Sequence, residues 1–380
     1  MEPDSSFTSV MELTLECQKN IPEQYVLPPL QRPNMSLTDH IPTSLPLIDL
    51  SMINQPAHRS QVIDEVRAAC KQLGFFQVIN HGIPTSVMKD ALDSAEEFFN
   101  LPSEAKMCFA SADVHEPVRY GTSMNHGKDK VFYWRDFIKL YANPISEWIH
   151  LWPSNPPSYR EKMGSYADAM HTLQKQLMEV ILESLGLNAN YLHEDIEEGS
   201  QVLAVNCYPS CPEPDLALGM PPHTDYGTLT ILNQSHQGLE IMDHDKKWHS
   251  VPFNEGALIV QLGDQSEIMS NGRYRSTPHR AILNVQKKRL SIASLHSLAI
   301  EKKIGPAPEL VDEQHPVAYK EGSFAEFLDC ISHNSVSDVK GSQQQHTQSR
   351  RGVVWGRWNV DKSPPHDKPE KKGDCFQEDL

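Results

Sequence analysis

From Gln201 to about Ala299 the apolar pattern breaks into strand-length pieces, VLAVNCY, LTILNQ, GLEIMD, WHSVPF, ALIVQL, RAILNV and RLSIASL, separated by Pro, Gly, Asn and Asp. Many short strands at close spacing predict an antiparallel sandwich or jelly roll, in which residues distant in sequence meet at one mouth. Upstream the period changes. Val62, Ile63, Val66, Ala69, Cys70 and Leu73 form one helical stripe between His58 and Leu73, with Gly74 placed to end the helix. Amphipathic patterns recur over Thr85 to Asn100 and Tyr159 to Leu187, and LPLIDL and GFFQVIN add strands. The reading is mainly β with flanking helices: an N-terminal α/β region over 41–200 and a jelly-roll core over 201–300.

Within that core, the run GMPPHTDYGTLTIL places His223 two residues before Asp225. The β-favouring residues Tyr226 to Leu232 predict a strand, so that imidazole and carboxylate project from one face. Alone, such a pair reads more readily as solvated loop residues at a strand end. His279, in RYRSTPHRAILNV, supplies a third donor, and two His with one carboxylate on one face suit non-haem Fe(II), leaving positions open for other ligands. A tetrahedral zinc site would leave fewer. Ten residues on, Arg289 and Ser291 share a face by i, i+2 spacing, a guanidinium fork and a hydroxyl suited to a carboxylate.

With these motifs the chain resembles the Fe(II)/2-oxoglutarate-dependent dioxygenases, in particular the plant class that oxidises small molecules. The residues that carry the resemblance are LPLIDL (45–50), GFFQVINHGIP (74–84), WRDF (134–137), NCYPSCPEPDLALG (206–219), HTDYGTLTIL (223–232), GLEI (238–241), GD with SNGRYRSTPHR (263–280) and RLSIASLH (289–296). The resemblance implies a double-stranded β-helix core, Fe(II) on His223, Asp225 and His279, and the distal carboxylate of 2-oxoglutarate on Arg289, Ser291 and Tyr208, with Asn206 as an addition. It implies O2 as second co-substrate and ascorbate as reductant. Hydroxylation is the expected outcome, with desaturation or demethylation following from the same chemistry. Phe137 and Lys139, near the WRDF motif, are expected to line the pocket of the organic substrate, a flavonoid, another phenolic or a terpenoid hormone. Leu295 occupies the position where some flavonoid-acting members place a stacking aromatic ring. An ascorbate-dependent 1-aminocyclopropane-1-carboxylate oxidase-like enzyme is the alternative within the fold, and a metal-free jelly-roll binding protein the alternative outside it.

A net charge of −16 opposes nucleic-acid or anionic-membrane partners, and no apolar run approaches the length of a membrane helix. The expected partner is a small molecule, the expected state a monomer, and the expected compartment the cytoplasm, with the nucleus also open. The seven cysteines lack a disulfide-like pattern and are read as reduced, Cys207 and Cys211 as structural. His81 is read as a turn histidine without chemistry. Residues 1–40 are expected to form a leader along the surface, 301–331 a C-terminal helical segment, and 332–380, including VVWGRW, a disordered tail.

Overall fold

The computed structural model describes residues 7–16, 19–33, 45–124 and 129–326; the expected tail and VVWGRW lie outside them. In chain order come helix α1 (Val10–Glu16), strand β1 (Leu47–Asp49), helix α2 (Pro56–Gln72), strand β2 (Phe75–Ile79), helix α3 (Thr85–Phe99), strands β3 (Val118–Thr122) and β4 (Asp136–Tyr141), and the long helix α4 (Tyr159–Leu185). The core follows with β5 (Ser200–Tyr208), β6 (Met220–His223), β7 (Leu229–Gln234), β8 (Leu239–Met242), β9 (Trp248–Ser250), β10 (Leu258–Leu262), helix α5 (Asp264–Met269), β11 (His279–Ala281) and β12 (Arg289–Ser297). Gly74 ends α2 as expected, in the left-handed region at φ 65°. Between residues 101 and 157 there are two strands, VRYGT pairing with the strand that begins at Asp136.

The strands form an eight-stranded sheet in the order β1-β2-β10-β7-β12-β5-β4-β3 and a four-stranded sheet in the order β6-β11-β8-β9, the two sheets of the jelly roll. Alternation sorts the large sheet into two faces. Phe76, Val78, Ile138, Leu203, Val205, Ile231, Val260 and Ile292 pack outward with Val62 and Val66 of α2, Phe98 of α3, and Tyr166, Met170 and Leu177 of α4. Each fully buried side chain of this size contributes roughly 1.5–3 kcal/mol, so this outer layer fixes the sheet's position against the helices. The opposite face carries polar groups among apolar ones such as Phe75, Leu232 and Ile259. In the small sheet, Arg280 and Glu240 are cross-strand partners and a buried ion pair at 2.7 Å, with Trp248 under the guanidinium, on the face opposite His279.

The leader docks through β4. Asp136 is buried on the outer face, and its carboxylate accepts the backbone N–H groups of Val10 (2.9 Å) and Met11 (3.0 Å) at the start of α1. Burial pushes the Asp136 carboxyl up to about 6, against the pull of these two hydrogen bonds. Farther along, Tyr25 packs edge-on against Trp134, and Phe132 N–H donates to Gln24 O.

Candidate active site

His223 closes β6 and His279 opens β11, and the two are direct cross-strand partners. Their rings lie 4.1 Å apart between centroids, and Phe75 of β2 stands edge-on to His279 at 5.6 Å. Asp225 does not lie on a strand. The expected strand from Tyr226 begins only at Leu229, and Asp225 sits where the chain leaves the small sheet for the large one. The turn lets the carboxylate double back, so that Asp225 Oδ1 is 3.7 Å from Nε2 of both histidines. Close packing holds this crossing: a Cβ on Gly263 would stand 2.0 Å from Gly227 O and 2.9 Å from Asp225 O.

Both imidazoles are oriented by backbone. Nδ1 of His223 is 2.9 Å from Pro221 O and Nδ1 of His279 is 3.3 Å from Thr277 O, which places the proton on Nδ1 and the lone pair on Nε2. Burial and the neighbouring His279 ring hold His223 well below the ordinary histidine range, so it is a neutral donor at physiological pH. The three side chains are all buried, and one donor atom from each falls within 4.8 Å of the others.

Arg289 begins β12 opposite Tyr208, and Ser291 lies opposite Asn206 on one side and Gln234 on the other. All share the inner face. Arg289 is buried; its Nε donates to His236 O at 3.1 Å, one Nη donates to Gln234 Oε1 at 2.8 Å, and Tyr208 lies under the guanidinium at 5.1 Å. Burial lowers its pKa, with Tyr208 opposing the shift. Gly238 leaves room for this side chain, since a Cβ there would meet Arg289 Cδ at 2.7 Å. Asn206 is engaged at both ends, accepting from Arg135 Nη1 (3.1 Å) and donating to Ala204 O (3.0 Å), which leaves it one N–H for a ligand.

Comparison with known proteins places this arrangement. Residues 45–155 match the family described as non-haem dioxygenase in morphine synthesis N-terminal, and residues 199–297 match the 2OG-Fe(II) oxygenase superfamily. The chain belongs to the 2OG-Fe(II) oxygenases. Among curated proteins it is similar to Flavanone 3-dioxygenase 3 of Oryza sativa subsp. japonica, 45% identical over 84% of this chain and 95% of the relative. It is likewise similar to 2-oxoglutarate-dependent dioxygenase 21, chloroplastic, of the same organism, 47% identical over 77% of this chain and 88% of the relative. Among solved structures, the JOX2 complex with 2OG, Fe and JA superposes with a TM-score of 0.77 at 32% identity, covering 86% of this chain and 94% of that one.

The remaining expected residues of this oxygenase fall on the same inner face. Phe137 is cross-strand from Asn206, Lys139 from Ala204, and Leu295 from Thr230 and Val202. His81 stays in its turn: Nε2 is 3.1 Å from Gly256 O, and Nδ1 accepts from Ile83 N–H. Sequence reasoning missed Gln261, whose Nε2 donates to Asp225 Oδ2, and its neighbour Thr230. Gln261 Oε1 and Thr230 Oγ1 are both buried without a protein partner, an acceptor and a hydroxyl at neighbouring inner-face positions that are free to meet a ligand. The one sequence signal was a lone polar residue inside the apolar run ALIVQL. Arg135 was also missed; it braces Asn206 and donates to Ser123 O from Nε (3.0 Å) and Nη2 (2.6 Å). Among the described residues no helix is long and apolar enough to cross a membrane.

Proposed function

We propose that this oxygenase holds Fe(II) on His223, Asp225 and His279 and seats the far carboxylate of 2-oxoglutarate on Arg289, Ser291 and Tyr208. The reading rests on one observation above the others: the His279–His223 cross-strand pair with Asp225 Oδ1 3.7 Å from each Nε2. The donor set fits, being two imidazole nitrogens and one carboxylate on one side of a site whose other side faces the jelly-roll interior. When bound, iron would bring O2, the oxidant, together with 2-oxoglutarate, which is oxidised to succinate and CO2 as the organic substrate takes the other oxygen atom. The protein's own groups bind and orient. Arg289 neutralises the distal carboxylate, Gln261 and the Pro221 and Thr277 carbonyls fix the ligand side chains, and Phe75 shields His279 from water. The organic substrate is a plant small molecule, phenolic or terpenoid, and hydroxylation is its outcome, with ascorbate maintaining the ferrous state.

The test is metal content and 2-oxoglutarate-dependent succinate release by the purified protein and by His279→Ala. The variant should fold, lose stoichiometric iron and lose turnover. Retained iron and turnover in His279→Ala would remove the metal assignment. Turnover supported by ascorbate with 2-oxoglutarate omitted would favour the aminocyclopropane carboxylate oxidase-like reading.

A further inference from the structure

The inner face carries more positive charge than 2-oxoglutarate uses. Besides Arg289 it presents Arg135, Arg119 and Lys139, and among the described residues none of these four has a carboxylate oxygen within 4 Å. In a chain of net charge −16 this is a selective arrangement. Arg135 is committed to Asn206 and Ser123. Arg119 and Lys139 are direct cross-strand partners on β3 and β4. Arg119 is 5% exposed, its Nε donates to Ser111 O, its guanidinium lies over the Phe137 ring at 5.1 Å, and its Nη2 is buried with no partner. Lys139 Nζ donates to Val114 O at 2.6 Å and keeps two further protons. Asp113 and Glu116 on the covering loop are exposed, and they act on Lys139 only at longer range.

Alongside this cationic edge runs an apolar floor. Ala204 pairs with Lys139 and with Ala293, and Val202 pairs with Leu295. These four small or aliphatic side chains are half-exposed on the inner face, while the alternate residues Leu203, Val205 and Ile292 are fully buried outward. The floor spans β5 and β12, so its far side lies two strand spacings, about 9–10 Å, from Lys139.

Resting on the oxygenase reading above, we propose that the organic substrate is a small carboxylic acid, its carboxylate taken by Arg119 and Lys139 and its apolar body laid over Ala204, Ala293 and Leu295. An unpaired, buried guanidinium is unfavourable unless an anion completes it, and a planar fork beside an ammonium matches a carboxylate. The apolar body then crosses two strand spacings of floor, the size of one ring with a short chain.

The test is a binding experiment on the protein carrying Fe(II) and 2-oxoglutarate, kept free of oxygen. Benzoate, cinnamate, indole-3-acetate, their methyl esters and the neutral flavanone naringenin are titrated by calorimetry. At least one acid should bind, with its ester tenfold or more weaker. Arg119→Gln and Lys139→Met should each weaken the acid about tenfold, and Lys139→Arg should restore most of it. Because Arg119 is buried, circular dichroism checks its fold, and the half-buried Lys139 provides the independent variant. An ester as tight as its acid, naringenin bound in preference to every acid, no acid bound at all, or acid affinity unmoved by both variants would each overturn the proposal. Failure of the oxygenase reading would appear separately, as no 2-oxoglutarate-dependent succinate release under any condition.

Discussion

Gln261→Leu separates the metal site from the fold that carries it. Gln261 Nε2 donates to Asp225 Oδ2, its Oε1 is buried without a partner, and the residue is 3% exposed in the central strand β10. Leucine has nearly the same volume, so no cavity of consequence opens. The substitution also removes the orphaned carbonyl oxygen, which offsets part of the lost bond. Stability should therefore move by less than about 1.5 kcal/mol, as expected for a volume-conserving swap. Metal affinity should respond differently. A hydrogen bond to a charged group contributes roughly 1.5–3 kcal/mol, and here it fixes the carboxylate rotamer that faces both histidines. At about 1.4 kcal/mol per factor of ten, Fe(II) affinity should fall roughly ten- to a hundredfold, the range found when partners of metal ligands are removed. The assay is anaerobic competition for Fe(II) against a chelator of known affinity, with thermal melting of the metal-free protein alongside. An unchanged dissociation constant would refute the role given to Gln261. A large drop in the metal-free melting temperature would show instead that the residue is needed for packing.

Three further outcomes are expected. Ser291→Ala should raise the 2-oxoglutarate half-saturation about tenfold and Arg289→Leu by more, since the second removes the counter-charge of a buried carboxylate; succinate release across a titration measures both, and equal values would contradict the site. Asp136→Asn turns one acceptor facing the α1 N–H groups into a donor, which should destabilise docking of the leader by about 1–3 kcal/mol and speed amide exchange over Val10–Glu16; unchanged exchange would contradict the anchor. Burial and the neighbouring Arg119 bring Lys139 down to about 7, with Asp113 and Glu116 opposing and the Tyr141 ring beneath the ammonium. Its charge is therefore present below about pH 7 and lost above. Carboxylate binding should weaken as pH rises through 7 in the parent protein, and a Lys139→Arg variant should lose that dependence.

What the sequence revealed depended on distance along the chain. Arg289 and Ser291 lie on one strand at i, i+2, and the same alternation puts Phe137 and Lys139 on one face, so all four could be placed from local pattern. The three metal donors carried enough chemical identity to be grouped although His279 comes from another strand. The position of Asp225 was misjudged because Tyr226, Thr228 and Leu229 are good strand formers, yet the change of sheet requires a turn there. Propensity gave way to topology. Gln261 and Arg119 were invisible for a different reason. Each acquires its role through cross-strand register with residues far away, and nothing beside it in sequence records that register.

The turn at Asp225 makes the proposed metal site a seam as well as a reaction centre. His223 and His279 belong to the small sheet, while Asp225 is tied through Gln261 to the large one. An ion held by all three stitches the two sheets together at their open end, and at a hundredfold excess over its dissociation constant it adds about 2.7 kcal/mol to the folded state. On the proposed assignment, loss of iron should loosen the rim of the jelly roll while the helix-backed face of the large sheet stays packed. Amide exchange should quicken first around 220–225 and 279–281, so the iron-depleted enzyme gapes at its mouth before any of its core gives way.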